Sequence, residues 1–591
     1  MLIPYTKIIK SNITSESAQA LLFNLIELIK IARHNENECY KLIMYFIYRL
    51  CNFNCEFPKQ DIEEILKQVC DSEYNAFHKE IVECINSFQV INNETNLKDY
   101  QNKLDKVFPF LRLKRNRQGE VYSDDTNLNR NKFYNYLLDV FKLRIIEKQP
   151  AIWNGNGYLL GIEPLEEWLI RLQRIFSIDG VNTEKYIKDY CVKGLSNQSH
   201  IDQYLIPCLD KVIVIDKKHI DFEHLRIENH ITSKPTVNPL QITLGDLNIK
   251  DIEQAFYDKE TDHNFNLWSN NDKDIRALLE ETIGLVLIHA SGLLFRKAVF
   301  LHSKAPKTGK TTFCNFVKAL VGTENTSILS LDDLQSSKNR FKLTMLVGKR
   351  LNFGDELAQG KQLDSDTIAT LKNIINGNDI ATERKGIQAE NSPMTCSFLY
   401  ACNDIPYFND RAMEDRLIII PFMHTFTDST LRESTRNNGN EKALKYFLLM
   451  GLKGAIRILD RLNKGEKECF TKSLLVDEHW KEIKQGNDPL FRYIYEHEES
   501  LRSYDSEYIK QPTKERLYSS KYLITTHYKN FEDYCNEGKY YQRSTMPTKT
   551  RFIERVCEEL RMKNVKGEFR GCINSATAKE YKAQGQVFTA L

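Results

Sequence analysis

The sequence predicts a multidomain α/β protein: a central α/β domain built on a phosphate-binding loop, a mostly helical N-terminal region and a C-terminal winged-helix domain. Three observations predict it. At 591 residues the chain is too long for one hydrophobic core, so three or four domains are expected. An apolar run, Ala298-Val299-Phe300-Leu301, leads into a short polar loop ending Gly309-Lys310-Thr311, and a helical pattern follows from Phe313 to Val321. From residue 511 onward, fifteen Lys and Arg stand against nine Asp and Glu, in a chain whose net charge is only +2.

Strand, tight loop, Gly-Lys-Thr and helix is the layout of a phosphate-binding loop. Ala305, Pro306, Lys307, Thr308, Gly309, Lys310, Thr311 and Thr312 are the candidate ATP-binding residues. Backbone N–H groups and a helix N-terminus would face the phosphates. Lys310 would reach the β- and γ-phosphates, and Thr311 would offer its hydroxyl to Mg²⁺. One position departs from the usual pattern. Lys304 stands five residues before Gly309, where a glycine is usual, and lysine tolerates positive φ poorly, so a different turn is expected there.

The composition, 41% hydrophobic and 27% charged, is that of a soluble globular protein. A net charge of +2 does not announce a nucleic-acid binder, so any basic surface must be local. No apolar run reaches the roughly 18 residues of a membrane span. Met1-Leu2-Ile3-Pro4-Tyr5 does not read as a signal peptide. Fourteen scattered cysteines with no Cys-x-x-Cys read as reduced thiols, and the expected place is the cytoplasm, that of a bacterial host. Cys39, Cys51, Cys55, Cys70 and Cys84, with His34 and His78, could form a zinc site; the simpler reading packs these cysteines as small hydrophobes in a helical core.

Residues 1–131 read as helical. Ala18 to Ile29 and Leu42 to Leu50 have helical spacing, and Asp61 to Leu66 follows Pro58 as a helix start. No carboxylate pair is placed on a strand there to hold Mg²⁺ for nucleotidyl transfer. Asp124-Asp125 lies in a polar stretch, Gln118 to Asn131, that reads as a linker. Residues 132–250 form a small α+β unit. It has a helix at Phe133 to Phe141, two strands around an Asn-Gly turn between Ala151 and Leu160, and helices at Leu165 to Phe176 and Thr183 to Val192. A strand at Val212 to Asp216 and an extended connector at Ile231 to Pro239 complete it.

Residues 251–425 carry the chemistry. Asp274 to His289 reads as an amphipathic helix before the loop strand, and Ser330 to Leu334 caps a short helix. Met345 to Glu356 is an apolar segment ending in two carboxylates, as the strand beside the phosphate loop ends in a P-loop ATPase. Asp355 would hold Mg²⁺, and Glu356 would polarise the attacking water. Leu371 to Gly386 reads as a helix, a glycine turn and a hairpin whose basic tip carries Arg384 and Lys385. Ser397 to Cys402 is a strand ending at Asn403, whose amide could orient the lytic water. Arg416 stands just before another strand, Leu417 to Phe422, where it could reach a neighbouring subunit's phosphate. Residues 426–510 read as a helical lid and linker, with one helix at Lys442 to Leu462. In 511–591, Tyr518 to Cys535 is a helix pattern, and Ser544-Thr545-Met546-Pro547 caps another running to Leu560. The exposed side of that second helix would carry Lys549, Arg551, Arg555 and Arg561. Strands at Val565 to Phe569 and Val587 to Phe588 would complete a DNA-contacting winged helix.

The Lys310 loop, Asp355-Glu356, the Gly377-x-Asp379 hairpin with Arg384-Lys385, Asn403-x-x-Pro406, and Arg416-Leu417 before Pro421-Phe422 occur in that order. Read together, they resemble a superfamily 3 helicase of the AAA+ class, nearest to the poxvirus- and phage-type primase–helicase family. The resemblance is strongest from Asp274 to Phe422 and weaker over residues 132–250 and the C-terminal segment. It implies a homo-hexameric ring with ATP and Mg²⁺ at subunit interfaces, Arg416 acting in trans, and Lys385 gripping single-stranded DNA in the pore. It also implies DNA replication of a phage, plasmid or genomic island, with a primase or loader protein as a further partner and no membrane. Two rival readings stay open: an origin-binding AAA+ switch that does not unwind, and a fused primase–helicase with priming in residues 1–130.

Overall fold

The computed structural model of the chain describes residues 16–52, 64–67, 108–111, 113–115, 121–124, 129–176, 178–179, 198–289, 297–355, 363, 365–383, 390–406, 411–427, 440–502, 517–519, 524–538, 546–560, 562–565 and 568–572. The chain is a multidomain α/β protein that divides into two compact units. The first holds Met1–Leu357, Asp364–Asn403 and Asp410–Thr471; the second holds Ala358–Leu363, Asp404–Asn409 and Lys472–Leu591. The break between Thr471 and Lys472 falls inside the segment expected to be lid and linker.

In the first unit, α1 (Glu16–Ala32) and α2 (Glu36–Asn52) open the described chain. β1 (Leu113–Arg115) pairs antiparallel with β2 (Val121–Asp124), and β2 runs parallel to β6 (Ile178–Asp179). Asp124 therefore ends a strand and is not part of a linker: the alternation of Val121-Tyr122-Ser123 wins over its polar surroundings. α3 (Arg130–Phe141), capped by the Asn129 side chain on the Lys132 N–H, leads into β3 (Arg144–Ile146), β4 (Gln149–Trp153) and β5 (Tyr158–Leu160). These three strands form an antiparallel meander that β7 (Gln198–Ser199) extends in parallel, with α4 (Glu163–Phe176) following β5. One hydrophobic cluster runs from Leu22 and Phe46 through Phe110 and Phe133 to Phe176, so the core is continuous across residue 131. Cys39 is buried within it, its thiol near the Ile29 carbonyl. Among the described residues no three metal-ligating side chains come together. Cys55, Cys70, Cys84 and His78, like the helix expected at Thr183 to Val192, lie outside the described residues.

β8 (Leu205–Pro207), β9 (Lys211–Val214) and β10 (Arg226–Asn229) make an antiparallel sheet in the order β10-β9-β8. The connector after it is built into the fold. Tyr158 N–H donates to Thr236 O, Asn238 N–H to Tyr158 O, and Leu240 N–H to Pro207 O, while Gln241 N–H reaches Leu320 O.

α5 (Lys259–Trp268) and α6 (Lys273–Leu287) precede β11 (Ala298–His302). α7 (Lys310–Val321) follows the loop, then β12 (Thr326–Ser327), α8 (Ser336–Leu343), β13 (Leu351–Asp355) and α9 (Ser365–Ile375). β14 (Ile380–Thr382) and β15 (Glu390–Ser392) form the hairpin, and β16 (Ser397–Cys402) and β17 (Leu417–Pro421) finish a five-stranded parallel sheet. Its order is β12-β13-β16-β11-β17. The Asp355 strand was expected beside the loop strand, but β16 lies between them. Every residue of β16 is buried, which suits it to a central position in the sheet.

α10 (Glu441–Asn463) crosses α6 backbone on backbone. A Cβ on Gly454 would lie 2.1 Å from Glu280 O, and one on Gly284 would lie 2.3 Å from Ala455 N. Beside the crossing, Glu281 is fully buried and accepts from Arg457, Arg461 and both the N–H and hydroxyl of Thr471, the last residue of the unit. Neither backbone can retreat from a new methyl, so Gly454→Ala is expected to cost about 3 kcal/mol, at the upper end of overpacking. Thermal unfolding reads this out as a midpoint several degrees lower; an unchanged midpoint would contradict the close crossing.

The second unit holds α11 (Leu474–Asn487), α12 (Pro489–Glu496), β18 (Leu517–Ser519), α13 (Ile524–Gly538), α14 (Lys549–Glu559), β19 (Met562–Val565) and β20 (Glu568–Cys572). Its antiparallel sheet has the order β18-β20-β19, and Tyr493, Phe531, Phe552 and Val556 are buried in its core. Tyr518, expected to begin a helix, is in β18, and the cap of α14 is Thr548, on the Arg551 N–H, in place of the Ser544 to Pro547 stretch. Among the described residues no helix is long and apolar enough to cross a membrane.

Candidate nucleotide-binding site

The loop between β11 and α7 takes its shape from two left-handed residues. Lys307 has φ 57° and Gly309 φ 87°, while Thr308 between them keeps a negative φ. Such alternation turns successive N–H groups toward one side of the chain. Lys304 is not in the left-handed region, so the missing glycine there costs the loop nothing. Gly309 is required twice over: its φ favours glycine, and a Cβ would lie 2.4 Å from the Trp268 Nε1. Gly309 also gives α7 no side-chain cap, which leaves the first N–H groups of the helix for an external acceptor.

Lys310 is 8% exposed, and its Nζ donates to Ser303 O at 3.0 Å and Thr308 Oγ1 at 3.3 Å. The ammonium is thus folded into the loop's own concavity. Thr311 is exposed at the helix start and Thr312 is buried; Ala305 is half-buried, and Pro306 and Lys307 are exposed. The chain after β17 straps the loop in place through the Phe426 N–H on Lys307 O, at 2.9 Å. Neither the strap nor Trp268 beneath the loop carried a sequence signal beyond ordinary core aromatics.

Sheet register aligns the other candidates with the loop. His302 pairs with Cys402, and Asp355 pairs with Ala401, so the loop, Asp355 and Asn403 all leave the sheet at its C-terminal edge. With two strand spacings between them, the Asp355 and His302 backbones lie about 10 Å apart. Asn403 is exposed. Asn352, fully buried in β13, donates to Leu329 O and Tyr400 Oη and accepts from Ser327 Oγ and the Leu329 N–H. Gly354 makes room for the Tyr400 ring, which a Cβ would meet at 2.1 Å. Uncapped helix N–H groups, a buried lysine, an exposed threonine hydroxyl and a carboxylate-bearing strand end form a donor and acceptor set that fits a Mg²⁺-nucleotide.

Arg416 belongs to the opposite edge. Its carbonyl accepts from the Ala298 N–H at the start of β11, and its Nε donates to Asn376 Oδ1 at 3.0 Å. Its Nη1 donates to Ala412 O. The hairpin stands at this same edge, its strands in register from Ile380↔Ser392 to Thr382↔Glu390. Glu356, Arg384, Lys385 and Arg561 lie outside the described residues.

On α14, Lys549 and Arg551 are partly exposed, with Arg551 3.6 Å from Glu554. Arg555, expected on the exposed face, is only 4% exposed. Its Nη2 lies 3.1 Å from Glu559 and 3.8 Å from Asp488, the residue that caps α12. Arg555 therefore staples α14 to the start of α12.

A family described as one of unknown function, DUF5906, matches residues 301–416, a segment that runs from the loop to Arg416. No curated protein matches the chain. Among solved structures, an apo structure of the NrS-1 C-terminal region (305–718) is 13% identical, with a TM-score of 0.36, covering 74% of this chain and 97% of that one. An A-form apo structure of the NrS-1 C-terminal region is 14% identical, with a TM-score of 0.29, covering 61% of this chain and 80% of that one. At such scores no shared fold or function follows.

Proposed function

We propose that this chain is an ATP-driven DNA helicase of the superfamily 3 AAA+ type, working as a homo-hexamer in the replication of a mobile element. One observation carries the reading: the sheet has two chemically distinct edges. The loop, Asp355 and Asn403 leave from one, and Arg416 and the hairpin from the other. A subunit so built holds nucleotide on one face and offers an arginine to its neighbour's nucleotide from the other.

Lys310 binds the β- and γ-phosphates, and the N–H groups from Ala305 to Thr312 cradle them. Thr311 and Asp355 hold Mg²⁺, which when bound neutralises charge on the phosphate oxygens. Glu356 takes the proton of the attacking water, and Asn403 orients that water. Arg384 and Lys385 grip single-stranded DNA. The second unit acts as a winged helix, with Lys549 and Arg551 turned to DNA phosphates.

The test is ATP hydrolysis and unwinding of a forked DNA by wild type and Lys310→Ala, at a fixed salt concentration because phosphate contacts are salt-sensitive. Wild type is expected to do both, and Lys310→Ala to lose at least about 100-fold in hydrolysis, with unwinding abolished. Hydrolysis without strand separation would favour an origin-binding switch, and no hydrolysis by wild type would overturn the reading.

A further inference from the structure

We propose that Asn376 positions Arg416 and thereby links the arginine that reaches the neighbouring nucleotide to the root of the DNA-gripping hairpin. The proposal rests on the reading of Arg416 as an arginine acting in trans. Asn376 is the first residue after α9, in the turn that closes the helix, and the chain beyond it is fixed. Gly377 takes φ 71°, its N–H donates to Ile374 O at 2.8 Å, and the Asn378 N–H donates to Asn373 O at 3.0 Å. This paired closure of a helix end is a stiff turn. Asp379 follows, and β14 begins at Ile380. A displacement of Asn376 is therefore a displacement of the hairpin leg four residues on.

The guanidinium is oriented from both sides. Asn376 Oδ1 takes Nε at 3.0 Å and Ala412 O takes Nη1, so the plane and direction of the fork are set by one residue of the hairpin root and one of the short helix, Arg411–Glu414, that precedes Arg416. The guanidinium has no acceptor of its own, so the amide must present oxygen to it. A planar fork acts on a phosphate only when aimed, and aiming it is what the amide does.

The other side of the same turn is held by a different part of the unit. Lys148, in the β3–β4 turn, contacts Asp379 at 2.7 Å. The next residue, Gln149, is buried and donates to Pro393 O at 3.3 Å, one residue past the second leg of the hairpin. Both legs thus rise from roots that one turn brackets, and Arg416 is tied to the first of those roots. DNA pulling on the hairpin shifts the amide that aims Arg416, and an arginine drawn to a phosphate pulls on the hairpin through the same bond.

The experiment measures ATP turnover by full-length protein, with and without single-stranded DNA, for Asn376→Ala, Asn376→Asp, Arg416→Ala and the double variant Asn376→Ala/Arg416→Ala. Asn376→Ala is expected to lower kcat about tenfold, the size of one lost orienting bond. KM for ATP should be unchanged and stimulation by DNA lost. Asn376→Asp, which keeps an oxygen acceptor at the same reach, should recover most of kcat. The double variant should turn over ATP at the rate of Arg416→Ala alone, because Asn376 acts only through that residue. A further loss in the double variant, or equal impairment in both Asn376 variants, would make Asn376 merely structural and overturn the link. Wild-type turnover and DNA stimulation in Asn376→Ala would overturn it as well. If Arg416→Ala itself retains turnover, the reading of Arg416 fails, and the link fails with it.

Discussion

Arg416→Ala is expected to lower ATP turnover by about 10³-fold or more while leaving ATP affinity within about threefold of wild type. The two halves of this expectation come from the same geometry. Leu417 pairs with Ala298, and Pro421 pairs with His302, so Arg416 and the phosphate loop stand at opposite ends of neighbouring parallel strands. At about 3.3 Å per residue the separation is about 15 Å, more than an arginine side chain spans. Arg416 therefore could not touch a nucleotide bound at its own Lys310, and its loss should not weaken such binding. In the proposed ring it would instead meet the nucleotide of an adjacent subunit, where it would stabilise charge in the transition state. Mixing makes the argument decisive. Arg416→Ala subunits lack the arginine but keep the loop, and Lys310→Ala subunits lack the loop lysine but keep the arginine. Mixed assemblies contain interfaces with both residues intact, so turnover should reappear on mixing two inactive preparations. No recovery on mixing, or wild-type turnover by Arg416→Ala alone, would sink the trans role.

What the sequence made legible was local. The strand–loop–helix around Lys310, the β14–β15 hairpin and the position of Arg416 before β17 follow from short-range patterns, and the structure has them where expected. The order of the strands was not local. Nothing in Leu351 to Asp355 says that β16 comes between it and the loop strand; that choice depends on which strand can be buried on both faces. Arg555 is a different case, because its signal was present. Phe552, Arg555 and Val556 are spaced three and four apart and share a helix face, so a helix burying Phe552 and Val556 also buries Arg555. A charge on that face has to be paired, and Glu559, one turn on, is its partner. The basic count of the segment concealed this, since it treats every arginine as surface.

Arg350→Met is expected to cost the first unit about 4 kcal/mol, although the change removes a buried charge. Arg350 stands just before β13, is 1% exposed, and among the described residues donates only to backbone carbonyls, not to a carboxylate. Its Nε and Nη2 donate to Asn238 O, Nη2 also to Val237 O, and Nη1 to Val286 O and Leu287 O. Burial pulls its pKa down to about 9, which still leaves the guanidinium protonated at neutral pH. The carbonyl dipoles are what make the buried charge tolerable. Val286 and Leu287 end α6, so their carbonyls have no partner within the helix, while Val237 and Asn238 belong to the connector that joins the antiparallel sheets to the five-stranded parallel sheet. One side chain thus closes a helix end, fixes the connector and anchors the strand that carries Asp355. A thioether of similar length fills the space but leaves those carbonyls without this donor; Leu287 O keeps the His289 N–H at 2.9 Å, and each of the others left bare costs about 1–3 kcal/mol, offset in part by relief of the guanidinium's desolvation. Arg350→Lys keeps the charge but has no fork, and should recover less than half of the loss. Thermal unfolding should show a midpoint about 5 °C lower for Arg350→Met, with Arg350→Lys in between. If the lysine variant matched wild type, charge alone would explain the site. If the methionine variant matched wild type, the clamp would contribute nothing, and the coupling between connector, helix end and β13 would have to lie in the apolar packing.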